Sequence, residues 1–349
     1  MNKQNYKSQG KESMFDEHFI TEQLSNIGNP LEAISKVIDF ELFRPTLEAK
    51  LQNVNKKSNA GAKPYDYVTI FKIMVLQRYY GLSDKQVEYQ ILDRTSFKNF
   101  LGFKTGDKIP DEKTVWLFRE NLTNLGIVED LFAQFEKYLE DKGLILNEGQ
   151  IVDASFTVAP RQRNTREENK AIKEGKGDEL WQDHPHKKSH KDIDARWTKK
   201  NGEKYFGYKN NVKMDNKSKL IKKYEVTDAS VHDSQPLKDV LEESDKGQDI
   251  YGDSAYTGQK QEETISKYQM NNLVNEKGYR NTPLTEEQKE NNRKKSKTRA
   301  RIEHAFGFME QSMNGLFVRS IGIKRAKGII GLINFTYNLF RYEQLVRIA

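Results

Sequence analysis

Residues 150–158 read Gln-Ile-Val-Asp-Ala-Ser-Phe-Thr-Val. Val152, Ala154, Phe156 and Val158 alternate with Ile151, Asp153 and Ser155, the two-residue period of a strand that shows different chemistry to its two sides. An acid in the middle of such a strand is out of place unless something needs it there. Two further acids stand in comparable settings. Asp253 follows the apolar run of Ile-Tyr-Gly-Asp-Ser-Ala-Tyr (250–256), and Glu303 lies in Arg-Ala-Arg-Ile-Glu-His-Ala-Phe (299–306), a helical pattern. Any one of them alone reads as a surface or capping residue. Together they point to a fold that gathers strand ends and one helix around a point.

Outward from this strand, the pattern differs on the two sides. Residues 64–142 have helical periodicity throughout. Ile70, Ile73, Met74 and Gln77 share one side of a helix over 68–80 that Gly81 ends, and Ser83 with Gln86 has the spacing of a capping box. Asp111 precedes a helix carrying Val115, Phe118 and Leu122, and 127–139 gives another. The Gly81-Leu82-Ser83 junction fits a helix-turn-helix-like unit, while periodicity by itself favours a plain helical bundle. Leu31–Asn53 reads as one or two short helices, 1–28 as a loosely ordered arm and 55–63 as a polar linker. After 148, strands are expected at 205–214 and 220–227, joined by the turn Asp215-Asn216-Lys217. A helix that Ser234 caps should run to about Glu243. Then follow a strand at 249–252, a helix at 258–268, a short strand at 272–274, a long helix around Glu303 and a last helix over 327–346. Residues 160–200 interrupt this order with a polar, basic segment expected to be partly disordered without a partner.

The expected fold class is α+β or α/β. An arm with short helices (1–63) and a helical domain (64–145) precede a mixed-sheet domain (146–349) that has the element order of an RNase H-like fold, with the insertion at about 160–200. In the helix around Glu303, residues Arg299, Glu303, Phe306 and Glu310 share one face, and Ile302, Ala305, Met309 and Met313 form the neighbouring core face.

The chain has 349 residues, no cysteine and a net charge of +7. Lack of cysteine excludes disulfides and thiolate metal sites. No run approaches the roughly 20 apolar residues of a membrane span, and residues 1–12 lack an apolar signal core. A cytoplasmic, nucleoid-associated protein is expected. Residues 161–223 hold 19 Lys or Arg against 10 Asp or Glu, and 277–301 hold 9 against 3. Positive charge clustered beside three acids is the footprint of a polyanionic partner. Three converging carboxylates repel one another unless cations neutralise them, and hard oxygen ligands suit Mg²⁺ or Mn²⁺.

These motifs resemble bacterial insertion-sequence transposases of the DDE type, in the insertion-sequence-five group. The resemblance extends over roughly 30–345. It includes Pro-Tyr-Asp-Tyr-Val-Thr-Ile-Phe-Lys-Ile-Met-Val-Leu-Gln-Arg-Tyr-Tyr-Gly-Leu-Ser (64–83), Asp-Arg-Thr-Ser-Phe (93–97), Phe-Leu-Gly (100–102), Pro-Asp (110–111) and Trp-Leu-Phe-Arg (116–119). Between the first two acids it includes Gly-Tyr-Lys-Asn (207–210) and Val-His-Asp-Ser (231–234). The resemblance implies Asp153, Asp253 and Glu303 as catalytic and metal-binding residues, with two Mg²⁺ ions per site (Mn²⁺ as a substitute). It implies double-stranded DNA as partner, both as element ends and as target, and a homodimer or larger synaptic assembly. A Tyr, Arg, Glu, Lys signature is implied around the last acid. Arg299 matches its Arg, but Ser296 stands in place of Tyr and Glu310 in place of Lys.

Arg299 is expected either to hold a phosphate or to pair with Glu303 four residues on. Arg319 or Lys324 could replace the missing Lys. Lys209 and Lys213, with Asn211 between them, form either a phosphate ledge or a solvated strand edge. Trp181 would stack on an unpaired base or pack within the insertion. His232 and Asp233 are expected near the acids, and His304 in a packing role. His184, His186 and His190 match no closed zinc motif. A DNA-binding regulator without catalysis and a nuclease that cuts without joining remain as other readings. A carboxylate-pair glycosidase would leave the basic stretches unexplained.

Overall fold

A computed structural model of the chain describes residues 15–52, 63–200 and 202–348. The expected arm up to residue 14 and the linker over 55–62 lie outside them. The arm's remainder is a helix, α1 (Asp16–Ile27). Seven more helices follow: α2 (Pro30–Val37), α3 (Arg44–Leu51), α4 (Tyr67–Tyr79), α5 (Asp84–Asp93), α6 (Thr95–Leu101), α7 (Glu112–Asn124) and α8 (Ile127–Asp141). Their starts follow local chemistry. Asn29, Asp66 and Asp111 accept backbone N–H groups at the first turns of α2, α4 and α7, and Ser83 with Gln86 closes the anticipated capping box on α5.

The sheet begins with β1 (Gly149–Val158). The insertion after it is ordered, contrary to the sequence expectation. Its two helices, α9 (Arg166–Lys173) and α10 (Pro185–Ser189), lead into β2 (Arg196–Lys200). Local caps explain this order: Thr165 and Glu168 form a capping box, and Asp192 accepts the N–H groups of Asp194 and Ala195. Asp192 also accepts from the buried Tyr208 hydroxyl at 2.7 Å and from Gly322 N at 3.2 Å, fixing the insertion to the sheet and to a late segment of the chain.

Next come β3 (Glu203–Asp215), β4 (Ile221–Asp228), α11 (Leu237–Val240), β5 (Asp249–Tyr251), α12 (Gln259–Lys267), β6 (Asn271–Asn272), α13 (Glu286–Arg299), α14 (Arg301–Gly307) and α15 (Ile323–Ile348). The sheet order is β4-β3-β1-β5-β6, with β1 antiparallel to β3 and parallel to β5. A three-stranded antiparallel meander followed by parallel strands is the RNase H-like order. β2 pairs with residues 203–207 of β3 and β4 with 208–214, both on the edge away from β1. Gly207, at φ 148°, makes this crowding possible, since a Cβ there would run into the Thr157 carbonyl oxygen.

Three expected helices differ in detail. The helix after Ser234 is a single turn, because Ser234 bonds to His232 and Gln261 instead of capping it. The long helix around Glu303 breaks at Ala300 into α13 and α14, and a π-helical turn at Phe308–Ser312 follows. The last helix is longer than anticipated and is buried on all sides from Ala326 to Tyr342 except Arg341 and Lys327. A helix apolar all round belongs inside a protein. α15 packs between α2, α4, α7 and α8 on one side and β4 and β3 on the other. The helical part and the sheet consequently share one apolar core, in which Phe335 meets Phe43, Phe71 and Phe135 at ring separations of 5.3–5.4 Å. A second, smaller core under α11 and α12 contains Val152, Ile250, Tyr256 and Ile265.

α15 seats closely because it is small where it meets its neighbours. A Cβ on Gly331 would collide with the Tyr224 hydroxyl and lie 2.7 Å from Val128 Cγ1. Overpacking a filled core costs about 1–3 kcal/mol. Gly331→Ala should lower unfolding stability by that amount in chemical denaturation, although Ala is the better helix former; a neutral effect would mean that α15 is not tightly seated.

Candidate active site

β1 carries its two faces as the alternation required. Ile151 packs in the core under α15 and Val152 in the one under α12, so Asp153 faces the α13–α14 side. Its carboxylate is 13% exposed and accepts from Arg299 Nη1 at 2.9 Å. The parallel register pairs Ile151 with Tyr251. Two residues further along each strand stand Asp153 and Asp253, on strands about 4.8 Å apart. Asp253 begins the turn Ser254–Tyr256 and accepts from Ala255 N at 2.8 Å. Gly252 lets the strand end approach closely: a Cβ there would sit 3.1 Å from the Tyr256 ring and 3.3 Å from Val152.

Glu303 sits in the first turn of α14, 62% exposed, and accepts from Arg299 Nη2 at 3.2 Å. Arg299 thus forks between Asp153 and Glu303. Ile302, Ala305, Met309 and Met313, the expected core face, are all buried. Burial pushes the Asp153 carboxyl above its ordinary value. The Ala154 N–H and Arg299 oppose this, while Asp253 adds to it.

Sequence reasoning missed Tyr256. Its hydroxyl is held un-ionised by burial, then by Asp153, Asp233 and Asp253, so it is the neutral group among three carboxylates. The only sequence signal was its place three residues after Asp253 in the same motif. Asn275 was also missed: its backbone N–H donates to Gly252 O at 3.1 Å and its amide to Ser296 Oγ at 2.9 Å. Ser296, where the resemblance implies Tyr, therefore braces the Asp253 strand end against α13. Glu310 is exposed in the π-helical turn, which breaks the face it was expected to share with Glu303.

The other candidates scatter. Lys209 and Lys213 lie opposite Phe156 and Val152 in the β1–β3 register, so they occupy the sheet face away from Asp153. Lys213 is fully buried between Glu242 and Asp245, both at 2.7 Å. It serves as the counter-ion of a buried pair and has no free charge for a phosphate. Lys209 is bound by Asp233 and the Val231 carbonyl at 2.6 Å, beneath the Phe156 ring stacked on Tyr205. Asp233 reaches the site electrostatically through Tyr256, whereas His232 turns to Ser234. Trp181 is buried in the insertion, donating to Glu168 at 2.6 Å. His304 is exposed and does not pack. Arg319 and Lys324 are exposed, Arg319 with its guanidinium over Phe317.

For a divalent cation, the donor chemistry fits: three hard carboxylates come from β1, the end of β5 and α14. Among the described residues no group of three His, Cys, Asp or Glu side chains is gathered closely enough to hold an ion. Arg299 supplies the positive charge between Asp153 and Glu303.

Residues 146–339 match the family described as a transposase DDE domain. The chain belongs to that family. Residues 19–121 match a second description, Transposase domain (DUF772), so both the helical part and the sheet of this transposase have counterparts in transposases. Among solved structures the transposase is similar to a piggyBac transposase in a synaptic complex with hairpin DNA, at 12% identity and TM-score 0.43, over 93% of this chain and 76% of that one. No described helix is long and apolar enough to cross a membrane.

Because the folded pKa of Asp153 is raised, its ionised form opposes folding at neutral pH. Asp153→Asn should melt at a higher temperature than wild type at pH 7. The difference should shrink as pH falls and wild-type Asp153 takes up its proton, and vanish below about 3.9, the ordinary Asp value. A variant that melts lower at pH 7 would show that the Arg299 pair outweighs the cost of burial.

Proposed function

We propose that this transposase binds the terminal inverted repeats of its own insertion sequence, cleaves the element ends and joins the freed 3′-hydroxyls to target DNA. The insertion-sequence-five assignment belongs to this reading and rests on the ordered motifs in the sequence. The observation that carries it is the single guanidinium of Arg299 bonded to both Asp153 and Glu303, beside the strand end that bears Asp253. These contacts support the reading that three acids from elements remote in sequence serve one site.

Asp153 with Asp253, and Asp153 with Glu303, would hold two Mg²⁺ or Mn²⁺ ions. Bound ions of this kind lower the pKa of a nucleophilic water or 3′-hydroxyl and stabilise the leaving oxygen. The protein's own groups position the strands. Arg299 neutralises the acids in the free protein, and its planar fork also matches a phosphate. Tyr256 stays neutral and adds no fourth negative charge. Arg319 and Lys324 are free to meet the DNA backbone, where a cation is worth most at low salt. Because the chemistry joins two ends, a homodimer or larger synaptic assembly would bring them together.

A DNA-binding regulator without catalysis is the second reading. Glu310 favours it, an exposed acid where the resemblance implies a DNA-contacting Lys.

The test is a cleavage-and-joining assay on DNA flanking the gene, with Mg²⁺ or Mn²⁺. Asp153→Asn, Asp253→Asn and Glu303→Gln should each reduce both steps by more than the roughly 10–100-fold typical of lost supporting groups around a metal, with end binding retained. Full activity in any of them would remove that residue from the site. Binding by wild type without chemistry in either metal would support the regulator. Glu310→Lys should tighten binding and steepen its salt dependence if Glu310 lies on the DNA path.

A further inference from the structure

A cavity of about 530 Å³ lies where the α4–α5 turn meets the loop after the π-helical turn. The two segments are in contact: a Cβ on Gly81, at φ 62°, would lie 2.9 Å from Asn314 Cβ. The expected helix-turn-helix junction is therefore docked on the sheet domain. Three arginines line the cavity, Arg78 from α4, Arg119 from α7 and Arg319, with one carboxylate, Asp84. Arg119 forks onto Asp84 at 2.5 and 2.7 Å, and Gln77 braces both partners. That pair is self-neutralising.

Arg78 and Arg319 have no carboxylate partner among the described residues. The Nε of Arg78 is shut from solvent without a hydrogen-bond acceptor. Burial, then repulsion from Arg119, pushes the Arg78 guanidinium down to about 10, with Asp84 opposing and Arg319 contributing. Arg78 is half-buried, with only its Nε fully shut away; a cation held partly out of water without a paired counter-charge is costly, and an anion is what relieves it. Guanidinium forks match phosphate oxygens. At the rim, Trp116 and Phe317 are 46% and 41% exposed. Aromatic rings beside cations are the composition of a path for a nucleic-acid strand.

The cavity wall is tied to the acids. Val158, at the end of β1, donates to Leu316 O at 3.0 Å and accepts from Val318 N at 2.9 Å. Asp153 stands five residues back along β1, about 17 Å at the rise of a strand, or roughly five base-pair steps of a duplex.

We propose that Arg78 and Arg319 form a site for a DNA backbone phosphate at the junction of the helical part and the sheet, with Trp116 and Phe317 flanking the strand. The choice of DNA rests on the transposase reading; the anion site itself does not. With the full chain, inorganic phosphate at matched ionic strength should raise the melting temperature of wild type and not that of Arg78→Gln. Without phosphate, Arg78→Gln should melt no lower than wild type, since no described bond is lost. On a random-sequence duplex, the slope of log K against log salt should fall by about one in Arg78→Gln and in the surface variant Arg319→Gln, and stay unchanged in Arg347→Gln. Equal phosphate protection of wild type and Arg78→Gln would overturn the anion site. Selective protection with unchanged slopes would overturn its assignment to DNA. Neither arm requires cleavage, so a failure of the catalytic reading is read separately.

Discussion

The burial of α15 is the constraint on which the rest of the structure depends. A helix of 26 residues, apolar on nearly every side, has to be surrounded, and here the surround is made from both halves of the chain. Two asparagines inside it meet the polar requirements of burial. Asn334 and Asn210 exchange amide hydrogen bonds at 2.7 and 3.0 Å, and Asn338 both accepts from and donates to the backbone of Ile221. Paired buried polar groups specify alignment, because any slip of the helix would strand them unsatisfied. The Asn210 pair reaches the strand next to Asp153, so the register of α15 and the position of β1 are set together.

From that frame the site follows by two local devices. The parallel pairing of β1 with β5 brings two acids abreast, and a turn closed by Asp253 itself fixes the second. The third acid arrives on a helix whose apolar face, Ile302 to Met313, is committed to the core. Arg299 then joins sheet to helix. Placing Asp153 there has a cost: burial first, with Asp253 adding to it, raises its pKa in spite of Arg299.

Much of this was legible in sequence because it is local or periodic. The two faces of β1, the capping box at Ser83, the core face of α14 and the hairpin around Asp215 each depend on a few neighbouring residues. What was not legible depends on partners far away. Lys209 and Lys213 were rightly placed on one strand face, but nothing in their spacing says that the face is turned from Asp153 or that Asp245 waits for Lys213. The insertion looked disordered because its composition is polar; its order comes from single well-placed acids, Asp192 and Glu168, which composition does not reveal. Tyr256 and Asn275 acquire meaning only once the strands are side by side.

The position of α15 in the chain also sets a timetable. Phe43 and Phe335 touch in the finished core, yet almost three hundred residues separate them. At about 5–20 residues per second of synthesis, the early helices wait roughly 15–60 s for the helix that completes their packing. Until then their apolar faces have no native partner, and contacts of such long range are slow to form in any case. The packed core is thus acquired late and all at once, and any nascent chain that stops short of α15 lacks the core of both halves.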